Sequence, residues 1–387
     1  MQKSTALLEL PSSCQHLARQ ILSVRYHPQA HTRFAVSEPK LREIFAPAFS
    51  DRIVQQWLVN HIEPTLEKRF IDDTYACRKA RGALAAIQKV QRHMRQPNHH
   101  YFLQLDIHSY FNSIPREGLS ECWNNILRLT PLSEERRELL RQIGTKSFLH
   151  DASRHPYTVS GAQALLKRIP THKQLCFRGA THGIPIGSLT SQILANFYLH
   201  PLDLFIKHEL RVKGYVRYMD DLILMSATPA QLNQWREAIK AFLTHQLGLT
   251  LHPTKQQLQP VSQGARYLGY RVFAHHCWLL PRTCNTLKQR LAWFNHLLQP
   301  SDKPLNTPAR GLWARPEMQA PPINLALLRN MLATINSYYG LLHHGKHWRL
   351  RQRIYHQHFG LLKHFFIPAN AGYTHIKLKK CFLQQAT

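Results

Sequence analysis

Two adjacent carboxylates, Asp220 and Asp221, stand between two apolar runs, Tyr215-Val216-Arg217-Tyr218 ahead of Met219 and Leu222-Ile223-Leu224-Met225 behind. Both runs are rich in residues that suit half-buried strands, so the segment is expected to be a hairpin with the two acids at its turn. Ionised carboxylates side by side repel each other, and a bound cation is one direct relief. Mg²⁺ prefers oxygen ligands, keeps several waters, and is commonly shared between one or two carboxylates and substrate phosphates. A solvated acidic turn is the commoner fate of an Asp-Asp pair, so the pair alone decides little.

A third acid changes the balance. Tyr101-Phe102-Leu103-Gln104-Leu105-Asp106-Ile107 is another apolar run that reaches a carboxylate near its end. If it is a strand beside the hairpin, with neighbouring backbones roughly 4.8 Å apart, all three acids converge on one edge of a sheet. Such an edge has room for two metals, and paired metals about 3.5–4 Å apart serve in-line phosphoryl displacement. The plain alternative is a strand end with a capping Asp.

The partner this chemistry needs is a polyanion, and the composition agrees: 50 Lys and Arg against 22 Asp and Glu leave a formal net charge of +28. Excess positive charge concentrates nucleic acid without selecting a sequence. An acidic membrane is the competitor, but no apolar stretch approaches the roughly 20 residues needed to span a bilayer. The first residues are too short and acid-interrupted for a signal peptide, so a cytoplasmic protein is expected. At 387 residues and 44% hydrophobic, the chain can build a core spread over two or three subdomains. The 7 cysteines are scattered without a C-x-x-C pair, and indicate neither a disulfide framework nor a zinc site. The histidine doublets, such as His99-His100, lack partners at metal-ligand spacing.

Between the third acid and the hairpin lies Gly183-Ile184-Pro185-Ile186-Gly187-Ser188-Leu189-Thr190-Ser191-Gln192-Ile193-Leu194-Ala195-Asn196, a Gly/Pro turn running into a helical pattern. Ser188 is placed to cap that helix, Leu189, Ile193 and Phe197 share one face, and the glycines allow a close backbone approach to a ligand. Asp106, this turn and the Asp-Asp hairpin, in that order, resemble the palm of a reverse transcriptase. The likeness extends from about Arg33 to Arg353 through Glu38–Pro47, Asp51–Val54, Thr74–Lys79, His200–Asp203, Leu251–Lys255 and Tyr267–Val272. It is strongest for the reverse transcriptases of diversity-generating retroelements, within the group II intron-like prokaryotic enzymes.

That resemblance implies a role for each matched residue. Asp106 and Asp220 would be the principal metal ligands, Asp221 would assist, and Ile107 would lend a backbone carbonyl. Two Mg²⁺ ions per site are implied, with Mn²⁺ as the alternative. Phe111 sits where these enzymes place an aromatic gate against the 2′-hydroxyl, a core Phe being the plain alternative. Lys40 and Arg42 resemble cations that hold the incoming triphosphate, where charge-assisted bonds are strong. Arg78 and Lys79 would contact template or triphosphate. Lys255 resembles a lysine that protonates departing pyrophosphate. Tyr267, Leu268, Gly269 and Tyr270 resemble the primer grip. Retroviral-type enzymes carry Gln before the turn glycine and Ser-Pro after it, whereas this chain has Ile186-Gly187 and Ser191-Gln192, the mark of the diversity-generating subgroup. Ile186 offers an incoming sugar apolar contact only, so geometry would be checked less tightly.

The implied architecture is α+β, a right-hand polymerase with fingers, a palm whose antiparallel sheet is backed by helices, and a helical thumb. Residues 1–32 are read as an N-terminal extension, 33–98 as fingers, 99–280 as palm and 281–387 as thumb, with a proline-rich connector at 300–322. A stripe of Ile53, Trp57, Leu58, Ile62 and Leu66 reads as core. Ser133 with Glu134 and Glu135 reads as a capped helix start, and 146–173 as a basic loop that faces template or partner. The tail from Lys346, with Trp348, Tyr355 and Phe359 among its cations, reads as a nucleic-acid surface, a thumb helix being the alternative. Implied partners are template RNA, a DNA or cDNA primer, deoxynucleoside triphosphates and a small basic accessory protein, typically pentameric. Two other readings stay open here: a related prokaryotic reverse transcriptase in phage defence or another retroelement, and a non-catalytic RNA-binding scaffold.

Overall fold

The computed structural model describes residues 10–37, 40–299, 324–345 and 347–382. The connector 300–322, the Glu38-Pro39 step and Lys346 lie outside the described residues. Residues 1–260 and 261–387 form separate compact units.

The first unit opens with helix α1 (Leu10–Leu22), strands β1 (His31–Val36) and β2 (Arg42–Ala46), helices α2 (Phe49–Arg69) and α3 (Ala83–Met94), and strand β3 (Tyr101–Ile107). Helices α4 (Tyr110–Ser113), α5 (Arg116–Leu129) and α6 (Glu134–Phe148), strand β4 (Tyr157–Val159) and helix α7 (Gln163–Lys167) lead to helices α8 (Leu189–Tyr198) and α9 (His200–Leu204). Strands β5 (Gly214–Tyr218) and β6 (Asp221–Ser226), helix α10 (Pro229–Leu247) and strand β7 (Leu251–Pro260) follow.

The main sheet is antiparallel, in the order β5-β6-β3-β7. Leu222, Ile223 and Leu224 are 0% exposed, so β6 is covered on both faces, which is why it reads as an unbroken apolar run instead of an alternation. Helices α3 and α10 pack on this sheet. Helix α10 has legible ends: Thr228 Oγ1 accepts a hydrogen bond from the Gln231 N–H, Pro229 begins the helix, and Gly248 ends it at φ 62. The stripe on α2 is core as read: Leu58, Ile62 and Leu66 are buried, with Ile53 and Trp57 packed against the same cluster. Burying such a Leu or Ile is worth roughly 1.5–3 kcal/mol.

A second sheet, ordered β2-β1-β4, joins chain segments far apart in sequence. Its fastener is Arg33, whose guanidinium pairs with the buried Glu43 at 2.6 Å and donates to Gln174 Oε1 at 2.9 Å, while Glu43 Oε2 accepts from the Leu175 N–H at 2.6 Å. The expectation of a free basic loop over 146–173 is corrected here. Helix α6, capped by Ser133 as read, runs on to Phe148, and the stretch beyond it supplies β4 and α7. Sequence pattern missed this because the strand has only 3 residues and pairs with β1 from far away.

In the second unit, strands β8 (Ala265–Tyr267), β9 (Tyr270–Val272) and β10 (Cys277–Leu279) form an antiparallel sheet. Helices α11 (Pro281–Leu297), α12 (Leu325–His343) and α13 (Trp348–His358) follow, then a ribbon of β11 (Phe366–Pro368) and β12 (Ile376–Leu378). The α+β class, with helices beside antiparallel sheets, is as expected. Part of the basic tail is internal: Phe359 is 0% exposed, Tyr355 packs on it with ring centroids 4.8 Å apart, and the buried Arg351 donates to the carbonyls of Leu342 and Gly372, while Arg349 and Arg353 are exposed. Of the three tail aromatics, Trp348 is the one left exposed.

Candidate catalytic centre

Tyr218 and Asp221 pair across the β5–β6 hairpin, leaving Met219 and Asp220 as a two-residue turn. Met219 has φ 57, the left-handed conformation that tight hairpins require. On its other side Asp221 is the Cα partner of Asp106 on β3, and the Ile107 N–H donates to the Asp220 carbonyl at 3.3 Å. The three acids therefore occupy one end of two hydrogen-bonded strands.

The neighbouring strand supplies a cation. Along β3, Leu105 pairs with Gln256 but Ile107 pairs with Leu251, so His252-Pro253-Thr254-Lys255 bulge out opposite Asp106. A bulge re-aims side chains, and here it brings Lys255 Nζ to 2.6 Å from Asp106 Oδ2. Arg42 and the exposed Lys40 act on Asp220 and Asp221 respectively through their charge.

Beneath the turn lies a residue that sequence reading passed over. Arg217 is 0% exposed, and all five of its N–H donors find acceptors. Nε and Nη2 hold Asp203 at 2.7 and 2.5 Å, Nη1 and Nη2 reach Asn196 Oδ1 and its carbonyl at 2.9 and 3.1 Å, and Nη1 reaches the Met219 carbonyl at 3.2 Å. Tyr215 donates to the same Asp203 at 2.8 Å, and Asn196 Nδ2 to the Ala76 carbonyl at 2.7 Å. This network pins the strained Met219 peptide, and through it the position of Asp220. The available signal was an Arg inside an apolar strand, with an Asn ending a helical run upstream.

Burial, then repulsion from Asp106, pushes the Asp220 carboxyl up to about 6; burial, then repulsion from Asp220 and Asp106, pushes Asp221 up to about 7. Among the described residues no three Asp, Glu, His or Cys side chains close on one point as a preformed metal cage. The Lys255 ammonium instead rests on Asp106 as a stand-in cation. An open set of two or three carboxylates suits Mg²⁺, which fills its shell with water and phosphate oxygens. Metal binding needs the carboxylates ionised, so Mn²⁺ affinity, followed by electron paramagnetic resonance, is expected to climb as pH rises through about 6 to 7 and then level off. A flat affinity across that range contradicts this electrostatic picture.

The remaining residues singled out in the sequence divide by placement. Ile186 is half-buried, and its carbonyl accepts from the Phe45 N–H at 2.9 Å. Gly187, at φ +127, lets the loop approach β2, where a Cβ would sit 2.7 Å from the Phe45 carbonyl oxygen. The close approach this glycine permits here is to the strand that carries Arg42. Ser188 makes no side-chain cap; its hydroxyl bonds Thr190, and Gln55 Oε1 takes the Leu189 N–H at 3.1 Å instead. Phe111 is half-buried and packs against the main core. Gln192 and Lys79 line a pocket of about 330 Å³ with Gln56, Glu63 and Cys77. Arg78 lines the same pocket and is also held within the fold: it donates to Glu67, Thr74 and the Ile71 carbonyl and lies over the Phe70 ring. Tyr267 and Tyr270 are buried in the second unit, and Leu268 and Gly269 form the tip of their hairpin at φ 48 and φ 88.

Protein YkfC of Escherichia coli (strain K12) is 25% identical over 312 residues, covering 70% of this chain and 74% of that protein. Group II intron-encoded protein LtrA of Lactococcus lactis subsp. cremoris is 22% identical over 340 residues, covering 71% of this chain but only 52% of LtrA. Among solved structures, telomerase from Candida albicans, in a complex with a fragment of telomeric RNA, aligns with 83% of this chain and 56% of its own at 10% identity and a TM-score of 0.44. The profile described as reverse transcriptase (RNA-dependent DNA polymerase) matches residues 37–272. With that match spanning more than half of its length, the chain belongs to the reverse transcriptase family, the RNA-dependent DNA polymerases.

Proposed function

We propose that this chain copies RNA into DNA at the edge of the β5-β6-β3-β7 sheet, by nucleotidyl transfer from a deoxynucleoside triphosphate to a primer 3′-hydroxyl. The observation that carries the reading is the pairing of Asp106 with Asp221, with Asp220 in the adjoining turn. Asp106 and Asp220, assisted by Asp221 and the Ile107 carbonyl, would hold two Mg²⁺ ions. Bound there, the ions would lower the pKa of the attacking hydroxyl and neutralise charge on the leaving phosphates. Lys40 and Arg42 bind the triphosphate from the β2 side. Lys255, already against Asp106, would give a proton to departing pyrophosphate. Phe111 gates the sugar, Lys79 meets template or triphosphate, and the Leu268-Gly269 tip meets the primer. In this reading residues 33–98 act as fingers, 99–280 as palm and 281–387 as thumb. Incubation with an RNA template, a DNA primer, deoxynucleoside triphosphates and Mg²⁺ extends the primer; an unextended primer overturns the assignment.

The finer reading is error-prone copying of a repeat RNA in a diversity-generating retroelement, with a small basic accessory protein as partner, in the bacterial or phage-infected cytoplasm. Ile186 and Gln192 in the turn and helix after Pro185 support it, because an apolar side chain at 186 leaves the incoming sugar without a side-chain hydrogen bond. Ile186→Gln is expected to lower misincorporation at template adenines, read by sequencing cDNA from both enzymes. An unchanged error spectrum removes Ile186 from the explanation.

A further inference from the structure

The outward face of the β8-β9-β10 sheet carries a row of side chains to which nothing above gives a role. Along each strand burial alternates: Ala265, Tyr267, Tyr270, Val272, Cys277 and Leu279 face inward, while Arg266, Arg271 and Trp278 face out. Register places those three side by side, Arg271 pairing with Arg266 on one flank and with Trp278 on the other. Trp278 is 52% exposed, an unusual position for the largest apolar side chain unless something covers it.

The row continues onto the β9–β10 hairpin. The Phe273 ring stacks on His276 with centroids 4.6 Å apart and planes 18° apart, and Trp278 lies 4.9 Å from Phe273 and 5.0 Å from His276. Arg271 lies over the same Phe273 ring, its Cζ 5.7 Å from the centroid. Gly264, at φ +72, makes room for that ring: a Cβ there would come within 2.7 Å of Phe273 Cε1. The Phe273 N–H donates to the His276 carbonyl at 2.9 Å and closes the hairpin. The rings are therefore ordered by the fold itself.

Charge identifies the occupant. Residues 261–280 contain no Asp or Glu, and from 261 to 387 the only acids are Asp302 and Glu317. We propose that this face is a binding platform for single-stranded nucleic acid, with a base stacked on Trp278 and the adjacent phosphates held by Arg266 and Arg271. Stacking on an aromatic ring flanked by cations tolerates any sequence, because every base has a π-face and every nucleotide a phosphate. Arg271 Nε donates to the Gln263 carbonyl at 2.9 Å, which orients the guanidinium without neutralising it, so a protein surface over Trp278 would have to bring carboxylates against these charges. A polynucleotide supplies both matches in one strand.

The test is fluorescence anisotropy of the full chain with labelled single-stranded RNA of mixed sequence, and separately single-stranded DNA, without nucleotides or Mg²⁺. It therefore reads the platform whether or not the chain copies RNA. Trp278→Ala is expected to weaken binding roughly fivefold to a hundredfold, and Trp278→Phe to restore most of it. Arg271→Ala is expected to reduce the slope of log affinity against log salt by about one. Weakening confined to RNA or to DNA assigns the platform to that strand, and weakening of both assigns it to either. Undiminished affinity for both strands in Trp278→Ala, with an unchanged salt slope in Arg271→Ala, overturns the proposal and leaves the face to a protein partner.

Discussion

Replacing Arg217 by Met is expected to lower folding stability by about 3–5 kcal/mol, the cost of leaving one partner of a buried ion pair uncompensated. Arg217 and Asp203 are both 0% exposed, so solvent cannot take over when the guanidinium is removed. The Asp203 carboxylate would keep the Tyr215 hydroxyl and lose its only cation among the hydrogen bonds described for it. Asn196 would lose the donors to its side chain and carbonyl, and Met219 the contact that steadies its left-handed backbone. Denaturant unfolding of the variant measures the loss. The double variant Arg217→Met with Asp203→Leu is expected to regain much of it, since apolar pairs of similar volume often replace buried ion pairs at little cost. A single-variant loss below about 1 kcal/mol contradicts the placement of this network beneath the turn, because that is the range of exposed pairs.

The parts of the site written into contiguous residues were legible. Two apolar runs around an Asp-Asp step specify a hairpin without help from the rest of the chain, and the run ending near Asp106 specifies a strand of the same kind. Register between them was not legible, because it depends on which strands meet, and neither run says so. The Lys255 contact depends on a bulge in β7 that changes the pairing between Leu105 and Ile107, and no periodicity encodes such a bulge. Resemblance pointed to Lys255 where pattern alone could not.

Polar residues were misread in a consistent direction. Arg78 was read as a contact for template or triphosphate, and its acceptors in the Glu67 to Thr74 segment draw it inward. Ser188 had the right type and position for a cap, yet Gln55 from helix α2 provides the acceptor instead. Arg217 has the Met219 carbonyl as its one nearby acceptor among the hydrogen bonds described for it, while Asp203 and Asn196 come from the two helices before the hairpin. In each case a polar group that reads as solvated is satisfied inside the fold, by nearby segments for Arg78 and by residues further away in the chain at Leu189 and Arg217. In the tail read from Lys346 as a nucleic-acid surface or a thumb helix, Tyr355 and Phe359 share a face with Ile354, and that face closes on α12 and the β11–β12 ribbon, while Arg349 and Arg353 stay exposed.

RNA-templated primer extension by the wild-type chain and by Asp220→Ala bears most directly on whether the three acids are one catalytic centre. The carboxylate lost is the one in the turn, beside two others that cannot take its place. Removing one of three mutually repelling acids should leave the fold intact, so a thermal midpoint at or above wild type separates lost chemistry from lost structure. Extension is expected to fall on the order of 10³-fold or more, as several kcal/mol of transition-state stabilisation disappear with the metal site. Extension by Asp220→Ala at close to the wild-type rate would contradict the account.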